Sequence, residues 1–569
     1  MSRLVKKSPS VCTDLPLDST DTRKKLRILL QLLKSCIGPK GRLKLIHNNI
    51  GGNVTTSTSS VLLSAISSTQ PLVNLIKTSI FNHVCRFSDC GLFAAVFCLA
   101  LIEQTKLSGL RGHVAIGLYK RFLDLCTAYL QQEDCGCKMK LDYNSSHDLI
   151  KLASSVISSK PACVLTEPEV LHISRLSVQA FLLTVPCSST GGLRLGKTAT
   201  LPVEGLSVKT SAVFPGLLVD MPDSLPPNQA ESFAPRPLRV VVFSASLAGD
   251  LSEIGDGLIE VNPGADAHSQ ILDQLLELGK GAVNDEVKLF VCQKVVHPVL
   301  QQYLRSQDVV VMERMGVALM EPLLQLTETG ARPVATVHTS IPAKAYGSVS
   351  SLSTLQFGSK KMLHLLPVGD SSVCSMVLCH RNDTLLSELK VVCQKTENVM
   401  RLTLKEPYVL LGGGCTETHL AAYVRHKVVD EAAGMAPALG CSGEECLLGV
   451  EGFCRALESV AMALEHDGGN CAVDLKHAHH WILPADGGRE DTEDSLGVCS
   501  CGLVEGGPGE PRAFLNTGYP HFSPAPLRRD AAVQPRVFDS FTAKINALQV
   551  AVETANLALD VRFVIEDTN

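Results

Sequence analysis

Residues Leu410–Glu417, with the sequence LLGGGCTE, give the strongest indication of how this chain folds. Three glycines follow an apolar run and precede a predicted helix, so the backbone is free to turn at positive φ and to approach another surface. Thr416 is predicted to cap that helix, whose free N–H groups suit an anion. A second glycine segment, Ile37–Arg42 (IGPKGR), lies near the other end of the chain. We expect the two segments to form halves of one nucleotide-facing site, in a domain built from both termini.

Length and composition restrict the class of protein. The chain has 569 residues, which on the usual size prior is about three or four domains. A hydrophobic content of 45% and a charged content of 19% predict large cores rather than disorder. The net charge of -5 argues against a general nucleic-acid binder. We expect no signal peptide, because Met1–Lys7 is polar and basic and no apolar core follows it. We expect no membrane insertion, because the most apolar run, Gly91–Ile102, ends at Glu103, is too short to span a bilayer and predicts a buried core helix.

The 21 cysteines are scattered through apolar surroundings, which indicates a reducing compartment, the cytosol or nucleus. Two close pairs, at Cys135–Cys137 and Cys499–Cys501, and a histidine cluster at His477–His480 stand out. None has the spacing of a four-ligand zinc site. They are therefore predicted to be surface-loop cysteines and a solvated histidine run.

Hydrophobic periodicity predicts helices in the first 130 residues, a boundary at 131–144, and short strands over 193–242. Helices and strands alternate over 268–312, which is typical of an α/β layer. A long helix is predicted from Thr384 to about Lys405. Helices are expected to dominate the remainder, apart from a polar stretch at 487–511.

Five motifs carry a family resemblance. They are Gly38–Gly41 (GPKG), Ser158–Lys160 (SSK), Val291–Lys294 (VCQK), Gly412–Glu417 (GGGCTE) and Ala551–Asn556 (AVETAN). Together they resemble a group II chaperonin subunit of the eukaryotic cytosolic kind, over nearly the whole chain. Phe87–Phe93 and Val564–Asp567 are similar to a branch of chaperonin-like proteins linked to cilia.

The resemblance implies an α+β multidomain fold with helical equatorial, split intermediate and α/β apical domains. The implied equatorial domain covers 1–140 and 404–569, and the intermediate domain covers 141–195 and 366–403. The substrate-binding apical domain would cover 196–365. Within it, 244–285 corresponds to the family's helical protrusion, but its first half is acidic and glycine-rich, which argues against a regular built-in lid.

The resemblance also implies ATP and Mg²⁺ as ligands. The candidate nucleotide-binding residues are Gly38, Pro39, Gly41, Asp89, Gly412, Gly413 and Gly414. A second interpretation of the glycines, that they are turns inherited from an active ancestor, stays open.

Departures from the family pattern predict loss of ordinary ATP hydrolysis. Active chaperonins have Gly-Asp-Gly-Thr-Thr where this chain has Ser88–Leu92 (SDCGL). Asp89 survives as a carboxylate for Mg²⁺, or as a plain helix N-cap. The family's Asn-Asp-Gly element is replaced by Ser57–Ser60, and its catalytic aspartate falls near Lys395. A lysine cannot orient water as a carboxylate does, and Asp383 and Glu397 are expected on other faces of that helix. No catalytic residue is therefore assigned.

A separate string, Gly191–Thr198 (GGLRLGKT), matches a phosphate loop through Gly191, Gly196, Lys197 and Thr198. A phosphate loop requires a helix after the lysine. Pro202 and the strand-like Leu206–Val213 follow instead, so a glycine turn with an exposed lysine is favoured.

By resemblance, the chain is a noncatalytic assembly factor. Its expected partners are other chaperonin-like subunits, the cytosolic chaperonin, and subunits of the ciliary cargo-coat complex as clients. The expected locations are the cytosol and centrosome, with the nucleus as a further one. The alternatives are an active ATP-dependent chaperonin ring and a centrosomal scaffold with no folding role.

Overall fold

The chain forms two compact units, the first made of 1–175 and 387–569 and the second of 176–386. The computed structural model describes residues 11–47, 53–186, 195–222, 237–249, 267–327, 333–335, 341–369, 372–483, 497–506, 511–515, 522–525 and 534–566. The first unit joins the two ends of the chain, and the second contains most of the strand-rich middle. The five-segment division into equatorial, intermediate and apical parts stays a prediction.

Within these ranges the helices are α1 (Thr20–Lys34), α2 (Ser59–Ala65), α3 (Pro71–Phe87), α4 (Gly91–Ser108), α5 (Gly112–Gln131), α6 (Ser146–Ser158), α7 (Glu167–Leu183), α8 (Ala267–Asn284), α9 (Pro298–Ser306), α10 (Gly316–Leu326), α11 (Asp383–Lys405), α12 (Cys415–Ala438), α13 (Gly443–Met462) and α14 (Phe541–Asp560).

The strands are β1 (Val11–Asp14), β2 (Lys44–His47), β3 (Asn53–Thr56), β4 (Lys138–Lys140), β5 (Thr198–Glu204), β6 (Ala212–Pro215), β7 (Leu217–Asp220), β8 (Leu238–Phe243), β9 (Val287–Cys292), β10 (Val310–Met312), β11 (Tyr346–Val349), β12 (Ser351–Phe357), β13 (Lys360–Leu366), β14 (Cys374–His380), β15 (Tyr408–Leu411), β16 (Asn470–Asp474), β17 (His480–Leu483), β18 (Arg512–Phe514), β19 (Phe538–Ser540) and β20 (Phe563–Glu566).

Helix α4 is the centre of the first unit. It packs against α1, α3, α13 and α14, and its side chains from Phe93 to Ile102 are all buried. The prediction of a buried core helix is confirmed, although the helix continues past Glu103 to Ser108. It is long and apolar enough to cross a bilayer by length and composition, but 72% of it is buried inside the unit, as expected of a core helix.

Several small sheets complete the first unit. Strand β1 pairs antiparallel with β20, so the two ends of the chain meet, and β2 pairs antiparallel with β3. Strand β15 lies between β4 and β19 and leads into the glycine turn. The sheet β17-β16-β18 was missed by the sequence prediction, which expected helices there; its strands are too short to show a clear alternation.

The second unit is built on a four-stranded sheet of order β10-β9-β8-β11. Its β8–β9 and β9–β10 pairs are parallel, with α8 and α9 connecting and covering them. The predicted α/β alternation is therefore confirmed. Ile271 and Leu275 of α8 are buried in this layer. Two three-stranded sheets, β12-β13-β7 and β5-β14-β6, form the remainder. Residues 250–266 of the expected protrusion lie outside the described residues.

Candidate functional site

A cavity of about 360 Å³ lies within the first unit. This volume is within the usual range for a small-molecule site. The cavity is lined from both ends of the chain, by Ile37–Lys40, Ser88–Phe93 and Ser158–Lys160 on the N-terminal side. The C-terminal side contributes Lys395, the glycine turn with Glu417, and the segment from Val537 to Asp539 with Lys544. The two segments that the sequence predicts to form one site therefore meet at this cavity.

The N-terminal glycine segment makes a tight turn after α1. Gly38 has a φ of 81° and lines the cavity with Pro39 and Lys40. Gly41 lies behind them, where its N–H donates to Gly38 O and a Cβ would lie 2.6 Å from Cys36 O. Gly41 is thus required by the turn and supports the lining residues.

The glycine turn joins β15 to α12. Gly413 and Gly414 have φ values of 65° and 82°, which side-chain-bearing residues rarely adopt. A Cβ on Gly413 would lie 2.5 Å from Ser500 O, and one on Gly412 2.7 Å from Val537 Cγ1. Gly413 and Gly414 line the cavity, and Gly412 packs behind it. A side chain at any of these three glycines would clash with its neighbours or force a disfavoured backbone conformation.

Two details of this turn differ from the sequence prediction or were missed by it. The N-cap of α12 is Gly414, and Thr416 instead donates its hydroxyl hydrogen to Leu411 O at 2.7 Å, so the predicted Thr416 cap is wrong. His480 holds the turn from behind, since its Nδ1 donates to Gly413 O at 3.0 Å. Burial lowers the pKa of His480 to about 4, so the ring is neutral near pH 7.

Asp89 lies in a strained turn that faces the cavity. Its neighbours Ser88 and Cys90 have φ values of 60° and 57°, in the left-handed region that glycine favours. The N-cap of α4 is Cys90, so the interpretation of Asp89 as that helix's N-cap is wrong. The backbone therefore keeps the shape of a glycine turn at the positions where the family pattern has glycines.

Lys544 of α14 forms a buried ion-pair network on one wall of the cavity. Its Nζ lies 2.5 Å from Glu417 Oε1 and 2.9 Å from Asp539 Oδ2. Although burial opposes the charge, these two carboxylates raise the pKa of Lys544 well above its usual value. Burial raises the pKa of Asp539, and Glu417 and Asp89 add to this rise against the effect of Lys544. The network was missed by the sequence analysis, although a lysine on the apolar face of α14 was a signal for it.

Lys395 of α11 lies on another part of the cavity wall and is also buried. Among the described residues, the side-chain nitrogen of Lys395 has no hydrogen bond or ion pair. Burial, helped by the nearby ammonium of Lys160, lowers the pKa of Lys395 to about 7. The lysine that the resemblance places near the family's catalytic aspartate thus lines the cavity. Glu397 is engaged with Arg401 of the same helix, and Asp383 is in the first turn of α11.

Helix α11 also carries Glu388. This residue contacts the start of the polar run Ser57–Ser60, which the resemblance places at the family's Asn-Asp-Gly element. Its carboxylate accepts hydrogen bonds from Thr56 Oγ1 at 2.9 Å and Thr58 Oγ1 at 2.6 Å. All three side chains are buried. The sequence analysis did not identify this contact, because the partners are separated by more than 300 positions.

The phosphate-loop string does not form a phosphate loop in its described part. Thr198 begins strand β5 rather than a helix, and Lys197 forms an ion pair with Glu321. A Cβ on Gly196 would lie 1.7 Å from Ser372 O, so this glycine serves close packing. Gly191 lies outside the described residues. Lys197 is exposed, as the alternative interpretation of the string expected.

The cysteine pairs and the histidine cluster are not at the surface, contrary to the prediction. Cys135, Cys137, Cys499 and Cys501 are buried, and so are His479 and His480. The hairpin β16–β17 carries the histidines into the core of the first unit, behind the glycine turn.

Comparisons with known proteins agree with this architecture. Residues 29–569 match the model of the TCP-1/cpn60 chaperonin family. The chain is 45% identical to the molecular chaperone MKKS of Mus musculus and 43% identical to that of Homo sapiens, in each case over 100% of both chains. It is 23% identical to thermosome subunit alpha of Saccharolobus solfataricus, over 80% of each chain.

The family match covers nearly the whole chain, and the full-length similarity to MKKS confirms the narrower resemblance carried by Phe87–Phe93 and the C-terminal residues. The chain belongs to the TCP-1/cpn60 chaperonin family.

Proposed function

We propose that this chaperonin-like protein is a noncatalytic assembly factor that binds nucleotide without efficient hydrolysis. It holds subunits of the ciliary cargo-coat complex, together with related chaperonin-like subunits and the cytosolic chaperonin, in the cytosol and at the centrosome. The observation that carries the noncatalytic part is Lys395. A buried ammonium at the position of the family's catalytic aspartate supplies positive charge to the cavity but cannot orient an attacking water as a carboxylate does.

The cavity suits an anionic ligand. Lys160 and Lys395 both line it, and neither side-chain ammonium has a hydrogen bond or ion pair within the described ranges. Two such cations close together destabilise each other, and an anion between them relieves that repulsion. In the chaperonin family, the anion that binds such positive side chains is the phosphate of the nucleotide. These two lysines would hold the phosphates of a bound nucleotide.

The carboxylates of the cavity suit Mg²⁺ only in part. Asp89 lines the cavity, and Glu417 Oε2 is buried with no hydrogen-bond partner among the described residues. Asp539 and the other Glu417 oxygen are already ion-paired with the single ammonium of Lys544. Oxygen ligands of this kind would hold Mg²⁺ beside the phosphates, where the ion neutralises phosphate charge. Leu92 lines the same cavity in place of a threonine hydroxyl.

Docking to related subunits is supported by two small sheets of the first unit. Each is a pair of strands, β1–β20 and β2–β3, and isolated two-stranded sheets are only marginally stable. Phe563 and Ile565 of β20 are 62% and 71% exposed, and Leu45 of β2 is 69% exposed. A strand from a neighbouring subunit would extend such a sheet and cover these side chains.

The first experiment measures ATP binding and turnover on the purified full-length chain, with Gly413→Asp as the variant that blocks the turn. We expect binding without turnover in the wild type, and no binding in the variant. Turnover that Gly413→Asp abolishes would contradict the proposal and favour the ring ATPase. Absence of binding would contradict the nucleotide part and leave a chaperonin fold that acts through its surfaces.

A second variant, Lys395→Asp, places a carboxylate at the catalytic position. We expect turnover to remain at background, because Ser57–Ser60 and Leu92 still lack the groups that bind Mg²⁺ and phosphate in active relatives. Turnover in this variant would show that the remaining machinery is intact, and that Lys395 alone separates this chain from an ATPase.

The adaptor role is tested by co-purification from ciliated cells. The double variant Phe563→Lys/Ile565→Lys is expected to lose chaperonin-like subunits, since it charges the exposed β20 surface. The matched control is Leu107→Lys, on a residue that is 73% exposed at the end of α4. Equal loss in both variants would contradict docking through β20. Asp89→Ala is expected to retain client subunits, and loss of clients at saturating ATP would contradict the noncatalytic mechanism.

A further inference from the structure

Four potential metal ligands meet in the core of the first unit, behind the glycine turn. They form a cluster, here the Cys₃His cluster, made of Cys415, His479, Cys499 and Cys501. All four side chains are buried, and their ligand atoms all lie within 4.8 Å of one another. The chaperonin role proposed above does not depend on this cluster.

The spacing of the ligand atoms fits a tetrahedral zinc site. Bonds of about 2.3 Å to sulfur and 2.0–2.1 Å to nitrogen give tetrahedron edges of roughly 3.6–3.8 Å. The Cys499 and Cys501 sulfurs are 3.4 Å apart, and each lies 3.4 Å from His479 Nδ1. The four atoms are therefore already arranged around a common centre, and small movements place them at zinc-binding distances.

The surrounding fold positions each ligand. Cys415 is the first residue of α12, so the glycine turn fixes its place. Asp474 holds the turn that presents His479, accepting hydrogen bonds from the backbone N–H groups of His477 and His479 at 2.6 Å and 2.7 Å. Nδ1 of His479 faces the sulfurs of Cys499 and Cys501, so it is the nitrogen placed to bind the metal. Nε2 of the same ring is buried and has no hydrogen-bond partner among the described residues.

The two remaining ligands come from one short turn. Val504 N–H donates to Cys499 Sγ at 3.1 Å, and Gly502, with a φ of 82°, closes the turn by donating to Cys499 O. An amide donor favours the thiolate form of a cysteine. Thiolate is the form that binds zinc.

The second cysteine pair of the same spacing shows what distinguishes the cluster. Cys135 and Cys137 are also buried, with sulfurs 3.5 Å apart. Their polar neighbour is the Tyr129 hydroxyl, which lies against Gly136 N and His419 Nε2. In the described chain, no histidine nitrogen and no third thiol completes a ligand set around this pair. Two thiols alone do not make a structural zinc site.

We propose that the Cys₃His cluster binds one zinc ion as a closed structural site. Three thiolates and one imidazole fill the four positions, so no water or substrate binds the metal. The ion would join α12 to the β16–β17 turn and to the Cys499–Cys501 segment. Ser500, between two of the ligands, lines the nucleotide cavity and packs against Gly413. The metal would thus fix the glycine turn from behind.

The decisive measurement on the wild type is X-ray absorption at the zinc edge, on full-length protein purified without chelator. We expect about one zinc per chain, with three sulfurs at about 2.3 Å and one nitrogen at 2.0–2.1 Å. Absence of bound zinc would overturn the proposal. So would a disulfide between two cluster thiols, found by mass spectrometry in protein kept under reducing buffer. Neither result bears on ATP binding, so failure of this inference is distinguishable from failure of the proposed function.

Variants separate the cluster from a general effect of buried thiols. Cys501→Ser is expected to weaken zinc binding by at least about tenfold, whereas the matched change Cys137→Ser leaves zinc content unchanged. Zinc retained in Cys501→Ser, or lost equally in Cys137→Ser, would contradict the assignment. If Cys501→Ser does not fold, cobalt(II) substitution of the wild type still decides, because tetrahedral thiolate ligation gives a characteristic absorption spectrum.

Discussion

Lys395 and Lys544 line the same cavity, and both side chains are almost completely buried, yet their surroundings give them opposite properties. Lys544 lies between two carboxylates, which raise its pKa well above the usual value. Lys395 has no carboxylate in contact among the described residues, and burial beside Lys160 lowers its pKa to about 7. The charge of Lys544 is therefore balanced by carboxylates of the protein, whereas the charge of Lys395 is left for a ligand to balance.

The largest expected effect is on Lys544. Lys544→Met leaves Glu417 and Asp539 facing each other in the core without a cation, which typically costs about 3–5 kcal/mol of folding free energy. We expect this loss in urea denaturation at pH 7. The loss is expected to shrink as the pH falls, because protonation removes the uncompensated carboxylate charges. Unchanged stability in the variant would mean that the two lysines do not differ in the way described.

Lys395→Met is expected to act in the opposite direction and to stabilise the protein. The pKa of Lys395 in the folded protein is about 7, below its value in the unfolded chain. The unfolded state therefore binds more protons between pH 7 and about 10, and wild-type stability rises with pH over that window. Below pH 7 the full cost of burying the ammonium is present, up to roughly 5 kcal/mol for a pKa lowered from 10.5 to about 7.

The measurement for Lys395→Met is the free energy of unfolding as a function of pH. The gain over the wild type is expected to be greatest below pH 7 and to disappear near pH 10. A gain that does not depend on pH would indicate a packing effect of methionine rather than relief of a buried charge.

The pH dependence of ATP binding tests the same difference between Lys395 and Lys544. If the ammonium of Lys395 holds phosphate, ATP affinity falls as the pH rises through and above 7, because the neutral amine contributes less to an anion site. We expect about a five- to tenfold weaker affinity at pH 9 than at pH 6.5, equivalent to roughly 1 kcal/mol. Lys395→Met should flatten the profile in isothermal titration calorimetry. A profile that stays steep in the variant would assign the effect to another group.

The sequence pointed to Lys395 but not to the ion pairs of Lys544. The family pattern predicts that its catalytic aspartate falls near Lys395, because a long helix keeps the spacing of a motif. The Lys544 network joins three elements, and periodicity predicts each element but not their packing. Lys544 itself shares the apolar face of α14 with Ala547, Leu548 and Ala551. A charge on such a face indicates a buried partner without saying which one.

The same physical limit explains the outcomes elsewhere. Helix α4 and the β8–β10 layer follow from local hydrophobic patterns, and their predictions were confirmed. The Cys₃His cluster draws its ligands from α12, the β16–β17 turn and a separate short turn, so spacing within any one segment gives no zinc motif. Short strands such as β16 and β18 are stabilised by their partners, and their own sequences are too short to show an alternation.

The smallest expected effect concerns the backbone that places Asp89 near both lysines. Ser88 has a φ of 60° without being glycine, and a left-handed conformation costs an L-residue roughly 1 kcal/mol. Ser88→Gly is therefore expected to stabilise the protein by about that amount, measured by urea denaturation. The control is Ser88→Ala, which keeps the Cβ and removes only the hydroxyl that Asn398 contacts at 3.0 Å. Since neither change alters a charge, both should leave the pH dependence of ATP binding intact. Equal stabilities of the two variants would show that the turn is not strained. The left-handed conformation of Ser88 would then cost no folding free energy. The position of Asp89 would not depend on backbone strain at Ser88 and Cys90.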